Sequence, residues 1–338
     1  MIGKGYGMIL ISKGKFNEEE TFNAYDIDNV IKGDSADFEQ LISKINPDSN
    51  EKYLIQIPDT KGLSIEMVEK LPENVDVRII GGLTEEYAKS TTYNWDKFRE
   101  KATYSKSELI TILKKMEQIE KGIDPNWNDY EKALYLYEYL KYDITYRTDS
   151  SKGKDGKPLD MRGNTNRTRT WDTLIGLTNQ LSTCSGFAHI YQELCTRQGI
   201  ECEKVGGKYL LGKEGSHAWN IITIDGQNFL VDVIWDAQDF EKGIDHVTTF
   251  GNADSNKYIA LCSKEKQQSL SKINNDWIKM EHEKLSKNIP KEHLHQEKVE
   301  RFIKMREEDR IRMQQLRGEQ LKNNNIIENE SINNGLSR

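Results

Sequence analysis

The dipeptide Asp225-Gly226 stands between two runs of β-forming residues, His217-Ala218-Trp219-Asn220-Ile221-Ile222-Thr223-Ile224 before it and Gln227 to Trp235 after it. Asp-Gly between such runs is a strong hairpin signal, because the favoured two-residue turn needs positive φ at both central positions. The turn also fixes a register. With Asp225 and Gly226 as the loop, Ile224 faces Gln227, Trp219 faces Asp232 and His217 faces Ile234. His217 and Asp232 then share one face of the sheet as diagonal neighbours, ~7–8 Å apart and within reach of long side chains. A bulge would bring them directly opposite. A four-residue loop would keep them on one face but further apart in register.

A second informative stretch lies just upstream, Gln180-Leu181-Ser182-Thr183-Cys184-Ser185-Gly186-Phe187-Ala188. A polar run leads into a helix whose apolar residues are Ala188, Tyr191, Leu194 and Cys195, closed by Gly199. Cys184 falls at the helix N-terminus, where unpaired N–H groups and the helix dipole favour an anion and so favour a thiolate. Cys195 lies on the interior stripe of the same helix and reads as structural. A nucleophilic cysteine needs an imidazole as base and an acceptor that orients it, which His217 and Asp232 supply. The rival base His189 sits five residues after Cys184, about 140° around the helix, and points away. His246 lies past the hairpin, and His282, His293 and His295 fall in a charged region. Asp236 is the rival carboxylate. On a continued strand it shares a face with Asp232, and its place near the strand end suits capping or substrate contact. Trp219 shields the His–Asp pair or packs the core. The backbone N–H of Cys184 is the first oxyanion donor, with the Gln180 or Asn179 side chain as the second.

The remaining sequence sets the frame. Residues 1–100 read as a small α/β unit with strands at Met8–Ile11, Tyr53–Ile57 and Val75–Ile80. Helical spacing occurs at Phe38, Leu41, Ile42 and Ile45, and again after Ser64. The strand–helix–strand order predicts a parallel pair, and the glycines form no phosphate-binding pattern. Ser105 and Glu108 make a capping box opening a helix with Leu109, Ile112, Leu113, Met116 and Ile119 on one face. Pro125 opens a second helix, striped by Tyr130, Ala133, Leu134, Tyr137 and Leu140. Residues 148–170 form a polar loop long enough to suggest a lid or substrate edge. Hydrophobic residues make up only 36 % of the 338, below the usual ~45–50 %, and the deficit gathers after residue 264. There Val299, Phe302, Ile303, Met305 and Met313 give a thin seam along a charged helix, which packs on the body or docks a protein partner. An Asn-rich disordered tail covers 323–338. The expected division is thus 1–100, a catalytic unit at 101–263, a charged helical extension at 264–322, and the tail.

The net charge of -7 argues against a nucleic-acid binder. No apolar run reaches the ~20 residues of a membrane span, and Met8 to Ile11 is too short for a signal-peptide core. A cytoplasmic protein, or one exported without a cleaved signal, is expected. The cysteines Cys184, Cys195, Cys202 and Cys262 form no C-x-x-C pair, and no metal-ligand spacing is present. No cofactor or metal is called for.

Three strings now stand in order: Cys184-Ser185-Gly186-Phe187-Ala188, His217-Ala218-Trp219-Asn220 and Val231-Asp232-Val233-Ile234-Trp235-Asp236. Together they resemble the three blocks of the transglutaminase-like superfamily, and Tyr139 to Tyr146 resembles the helix end that often precedes the nucleophile block. The resemblance covers roughly residues 130–240. It implies an α+β, papain-like core in which a nucleophile helix packs on an antiparallel sheet, with Cys184 as nucleophile, His217 as base, Asp232 as orienter and no metal. It implies thiol-dependent hydrolysis or acyl transfer at an amide bond of a protein or peptide. A non-catalytic interaction module of the same fold is the alternative. Cross-linking members often carry Trp after the nucleophile; Ser185 stands here, which tilts the expectation towards hydrolysis.

Overall fold

The computed structural model describes residues 8–14, 25–34, 42–47, 52–57, 59–79, 103–146, 173–209, 215–252, 257–260, 266 and 268–289, together with 296–298, 300, 304, 307, 311, 314 and 315. The helical spacing at Phe38 and Leu41, the loop at 148–170, the tail from 323, Cys262 and the seam residues Val299, Phe302, Ile303, Met305 and Met313 lie outside the described residues.

The N-terminal residues build a mixed sheet. β1 (Met8–Gly14) pairs antiparallel with β2 (Tyr25–Asp34) and with β3 (Lys52–Ile57). Helix α1 (Ile65–Glu69), capped by the Ser64 hydroxyl, carries the chain to β4 (Val75–Ile79). β4 runs parallel to β3 as the strand–helix–strand order predicts, with Tyr53 beside Val75 and Ile57 beside Ile79. β5 (Thr103–Ser105) completes the order β2-β1-β3-β4-β5. β2 is an addition to the sequence reading. Asp26, Asp28 and Asn29 lower its intrinsic strand preference, so its pairing with β1 is what reveals it.

α2 (Lys106–Glu120) follows β5 without a break. Its capping box is formed: Glu108 N–H donates to Ser105 Oγ and Ser105 N–H donates to the Glu108 carboxylate. Leu109, Ile112, Leu113, Met116 and Ile119 are buried along one face. α3 (Asp129–Asp143) begins later than Pro125 suggests. Asn128 takes the cap, accepting from Glu131 N–H at 2.9 Å while Glu131 accepts from Asn128 N–H at 2.8 Å. Pro125 is left in the preceding turn. From Ala133 to Asp143 every residue of α3 is buried, which makes it the central pillar of the molecule.

β6 (Thr145–Tyr146) and β7 (Leu181–Ser182) form a short parallel pair, with α4 (Ile175–Asn179) leading into β7. β7 delivers the chain to α5 (Cys184–Arg197). Beyond it come β8 (Glu201–Tyr209), β9 (Gly215–Ile224), β10 (Gln227–Val231), α6 (Val233–Glu241), β11 (Tyr258–Ala260) and α7 (Asn275–Leu285). The antiparallel sheet has the order β10-β9-β8-β11, and α5 packs against β8 and β9. This is the α+β arrangement expected, a helix carrying Cys184 laid on an antiparallel sheet carrying His217. One hydrophobic cluster runs from Ile55 and Val77 through Leu113 and Leu134 to Phe187 and Ile222, so the N-terminal sheet and the Cys184 helix share a core.

The hairpin has the two-residue loop. Gln227 pairs with Ile224 and Val231 with Asn220, and Asp225 and Gly226 have φ of 51° and 72°. The second run is shorter than its composition suggests. β10 stops at Val231, and Asp232 becomes the N-cap of α6, its Oδ1 accepting from Ile234 N–H at 3.3 Å. The pairings of Trp219 with Asp232 and His217 with Ile234 therefore do not form. Asp232 N–H goes instead to Thr249 O at 3.0 Å, and Phe250 bridges Val231. A carboxylate that can cap a helix competes with the ladder at this position, and here the cap prevails.

Candidate active site

Cys184 is the first residue of α5 and is partly exposed. Thr183 precedes it in extended conformation and makes no side-chain cap bond, so the cap side chain does not take the first-turn N–H groups beside the thiol. Gly186 and Ser185 keep that turn slim. His217 comes from the opposite side, near the start of β9. Its Nε2 lies 2.7 Å from Asp232 Oδ2, and Cys184 is close enough to influence its titration. With Nε2 committed to Asp232, Nδ1 is the nitrogen left for sulfur. Burial pulls the imidazole pKa down, but the hydrogen bonds and charges of Asp232 and Cys184 outweigh it and raise it to about 10. These partners favour the protonated ring.

Asp232 serves two structures at once. Oδ1 caps α6, while Oδ2 accepts from His217 and, at 2.9 Å, from the Tyr258 hydroxyl. Burial first, and then the Asp232 charge, push the Tyr258 pKa far up, so its hydroxyl stays a donor. The helix cap thus brings Asp232 to His217 without the diagonal strand geometry. Four rings surround the imidazole. Trp219 stacks at 6.0 Å and 27°, Tyr209 lies at 5.7 Å, Trp235 at 5.8 Å and Tyr258 at 6.3 Å. Trp219 is 1 % exposed and packs edge-on against Tyr258. A box of aromatic rings lowers the local dielectric and strengthens the His217–Asp232 bond.

The other residues singled out by sequence lie elsewhere in the fold. Asp236 sits on α6 and not on a strand, so the shared-face argument for it lapses. It is fully buried and accepts from the Tyr137 hydroxyl at 2.6 Å, from Thr248 N–H at 2.7 Å and from the Thr248 hydroxyl. It ties α3 and the 248–249 segment to α6. Gln180 ends α4 in the left-handed region with φ of 53°, and its amide donates to Asp143 Oδ1 at 2.6 Å. His189 is partly buried near Glu193, its pKa lowered to about 3 by desolvation and then by the Lys204 charge, which keeps it neutral. His246 lies 3.1 Å from Asp239, away from the thiol partners.

Tyr258, Tyr209 and Trp235 belong to the surroundings of His217 without having been read as such. Tyr258 lies in a three-residue strand inside a polar stretch and carries no local signal. Its place follows only from the pairing of β11 with β8.

A second cluster joins residues distant in sequence. Glu138, Asp245 and His282 offer ligand atoms within 4.8 Å of one another. Lys141 Nζ already stands where a metal would, 2.7 Å from Glu138 and 2.8 Å from Asp245, and donates to His246 O at 3.0 Å. The ammonium neutralises the carboxylates and the cluster fastens α7 to α3, so the donor set does not fit a metal ion.

Residues 117–233 match the transglutaminase-like superfamily. The mouse protein named kyphoscoliosis peptidase is 26 % identical over 120 residues, which is 32 % of this chain and 16 % of that protein. Its human counterpart is 26 % identical over 119 residues, again 32 % of this chain and 16 % of the human protein. The chain thus spans about a sixth of the length of these relatives. A crystal structure of a candidate cysteine protease from Cytophaga hutchinsonii aligns at a TM-score of 0.26 and 19 % identity, covering 36 % of each chain. The matched stretch includes the Cys184 helix, the His217 strand and Asp232, so over residues 117–233 the chain is similar to the transglutaminase-like superfamily.

Proposed function

We propose that the protein is a cysteine-dependent enzyme that opens amide bonds of peptides or proteins through an acyl-enzyme on Cys184. The observation that carries this reading is the position of His217, hydrogen-bonded to Asp232 at 2.7 Å and close enough to Cys184 for each to act on the other's charge. In the proposed cycle the Cys184 proton already rests on His217 as a thiolate–imidazolium pair, and the thiolate attacks the amide carbonyl carbon. The oxyanion is met by the Cys184 N–H at the helix start. His217 then hands its proton to the amide nitrogen, the C–N bond breaks and the amine leaves. Water attacks the thioester, His217 takes its proton, and carboxylic acid and thiol are released. Asp232 fixes the imidazole orientation and balances its charge throughout. The kyphoscoliosis peptidases named above support the hydrolytic direction over transfer to an amine, as does Ser185 beside the nucleophile.

The test is alkylation of each cysteine by iodoacetamide as a function of pH, read by peptide mass spectrometry. Cys195 and Cys202, both buried, are internal controls. Cys184 is expected to react well below the ~8.5 of a free thiol, and His217→Ala to remove that advantage. Ordinary reactivity of Cys184 in both proteins would sink the reading and favour a non-catalytic binding module.

A further inference from the structure

The strand that carries His217 grips the nucleophile helix at one rung. Lys204 on β8 and Asn220 on β9 are directly opposed in the antiparallel pair, so their side chains leave the same face of the sheet. That face meets α5. The Asn220 amide donates to Ala188 O at 2.8 Å, and Lys204 Nζ donates to Ser185 Oγ at 2.9 Å. Both contacts land within the first two turns of α5, and His217 lies three residues up the strand from Asn220. The rung therefore sets how the Cys184 end of the helix sits against the His217 strand. The Lys204 contact also brings a cation to the residue that follows the nucleophile. Its field acts along this helix face, since it helps hold His189, one turn further on, in the neutral form.

We propose that Lys204 is a positioning residue for Cys184. Its ammonium pins the first turn of the nucleophile helix through Ser185 and adds positive potential beside the thiolate. The inference rests on the reading of Cys184 as nucleophile. The other titratable groups around that turn are already placed. His217, backed by Asp232, faces the thiol from β9. His189 and Glu193 lie further along α5, Glu193 bound to the Thr60 N–H and hydroxyl. Of the buried carboxylates on flanking helices, Asp143 is engaged by Lys115 and Gln180, and Asp236 by Tyr137 and Thr248. Lys204 is thus the cation that β8 contributes to this turn, and it acts in the same direction as the helix dipole.

The experiment is the pH profile of Cys184 alkylation in wild type, Lys204→Met, Lys204→Arg and His217→Ala, with thermal midpoints measured in parallel. Lys204→Met keeps most of the apolar stem and removes the charge; Lys204→Arg keeps the charge. The expected result is an alkylation midpoint about one pH unit higher in Lys204→Met, a roughly tenfold slower reaction below the midpoint, and recovery of most of the shift in Lys204→Arg. A lowered thermal midpoint with an unmoved pH profile in Lys204→Met would reduce Lys204 to a structural contact and overturn the proposal. If Lys204→Met does not fold, a wild-type profile in Lys204→Gln overturns it equally. The failures are distinguishable. Where the wild-type profile is perturbed and His217→Ala abolishes it, an unmoved Lys204→Met profile overturns the Lys204 proposal alone. A wild-type Cys184 that reacts like a free thiol overturns both.

Discussion

At the scale of single residues, Glu193 shows how a buried group on the Cys184 helix links two parts of the molecule. It is 2 % exposed, lies two turns below Ser185, and accepts from both the N–H and the hydroxyl of Thr60 at 2.9 Å. Burial raises its pKa to about 7. The Thr60 hydrogen bonds and Arg197 work against that rise, and the Asp59 charge adds to it. The sign follows from linkage. A carboxyl with a raised folded-state pKa binds its proton more tightly in the folded chain, so its contribution to stability is fully present below about 4.5 and is lost as pH rises through about 7. A difference of that size amounts to about 3 kcal/mol. Glu193→Gln keeps an acceptor for Thr60 and removes the titration. Urea unfolding midpoints of wild type should fall between pH 4.5 and 7 relative to those of Glu193→Gln, and parallel profiles for the two proteins would count against this account. Nothing in the sequence marks Glu193. Its four-residue spacing from His189 and Arg197 describes a helix face, but what covers that face is Thr60, more than a hundred residues away.

At the scale of elements, the head of α6 joins folding to chemistry in one side chain. Asp232 Oδ1 caps the helix while Oδ2 holds His217 and Tyr258. The two roles separate by substitution. Asp232→Asn retains an oxygen for the cap and loses the charge; Asp232→Ala loses both. Asp232→Ala should be destabilised by about 1 kcal/mol more than Asp232→Asn, the usual worth of an N-cap, while both lose the low-pH reactivity of Cys184. Equal stabilities would mean that the cap bond contributes nothing. The same residue shows what was legible beforehand. Asp225-Gly226 announced the turn, and its register from Ile224 to Asn220 followed from a two-residue loop. The end of the strand did not follow, because Val231 to Trp235 reads as β by composition and only the capping of Ile234 by Asp232 reveals the helix. Asp236 was misplaced for the same reason. The start of α5 was clearer, since a polar run into an amphipathic segment is a local signal and Cys184 lies where that signal put it.

At the scale of the whole molecule, a buried lysine joins the α7 contacts in tying the charged C-terminal region into the body. Lys298 is completely buried. Its ammonium donates to Lys141 O near the end of α3 and, at 3.1 Å, to Ala237 O in α6, with Glu241 at 3.6 Å and the Phe240 ring beneath it. A cation near the C-terminal ends of two helices satisfies Lys141 O, which lies past the last helical acceptor of α3, and sits well with both dipoles. Glu241 in turn accepts from Tyr146 N–H at 3.1 Å, so the contact reaches the strand pair that leads to Cys184. A composition rich in Lys, Glu and Asn hid this, because a single buried charge cannot be told from solvated ones without its partners. Lys298→Met preserves the apolar stem but leaves the buried Lys141 O without its donor, at about 1–3 kcal/mol when unsatisfied. The exposed Lys304 provides the control. Lys298→Met should therefore lower the urea midpoint of the entire folding transition by an amount equivalent to about 1–3 kcal/mol, and Lys304→Met should leave it unchanged. If the two variants unfold together with wild type, the C-terminal segment does not contribute to the stability of the domain that holds Cys184 and His217. If Lys298→Met unfolds early in a single step, the extension is a working part of that domain's core.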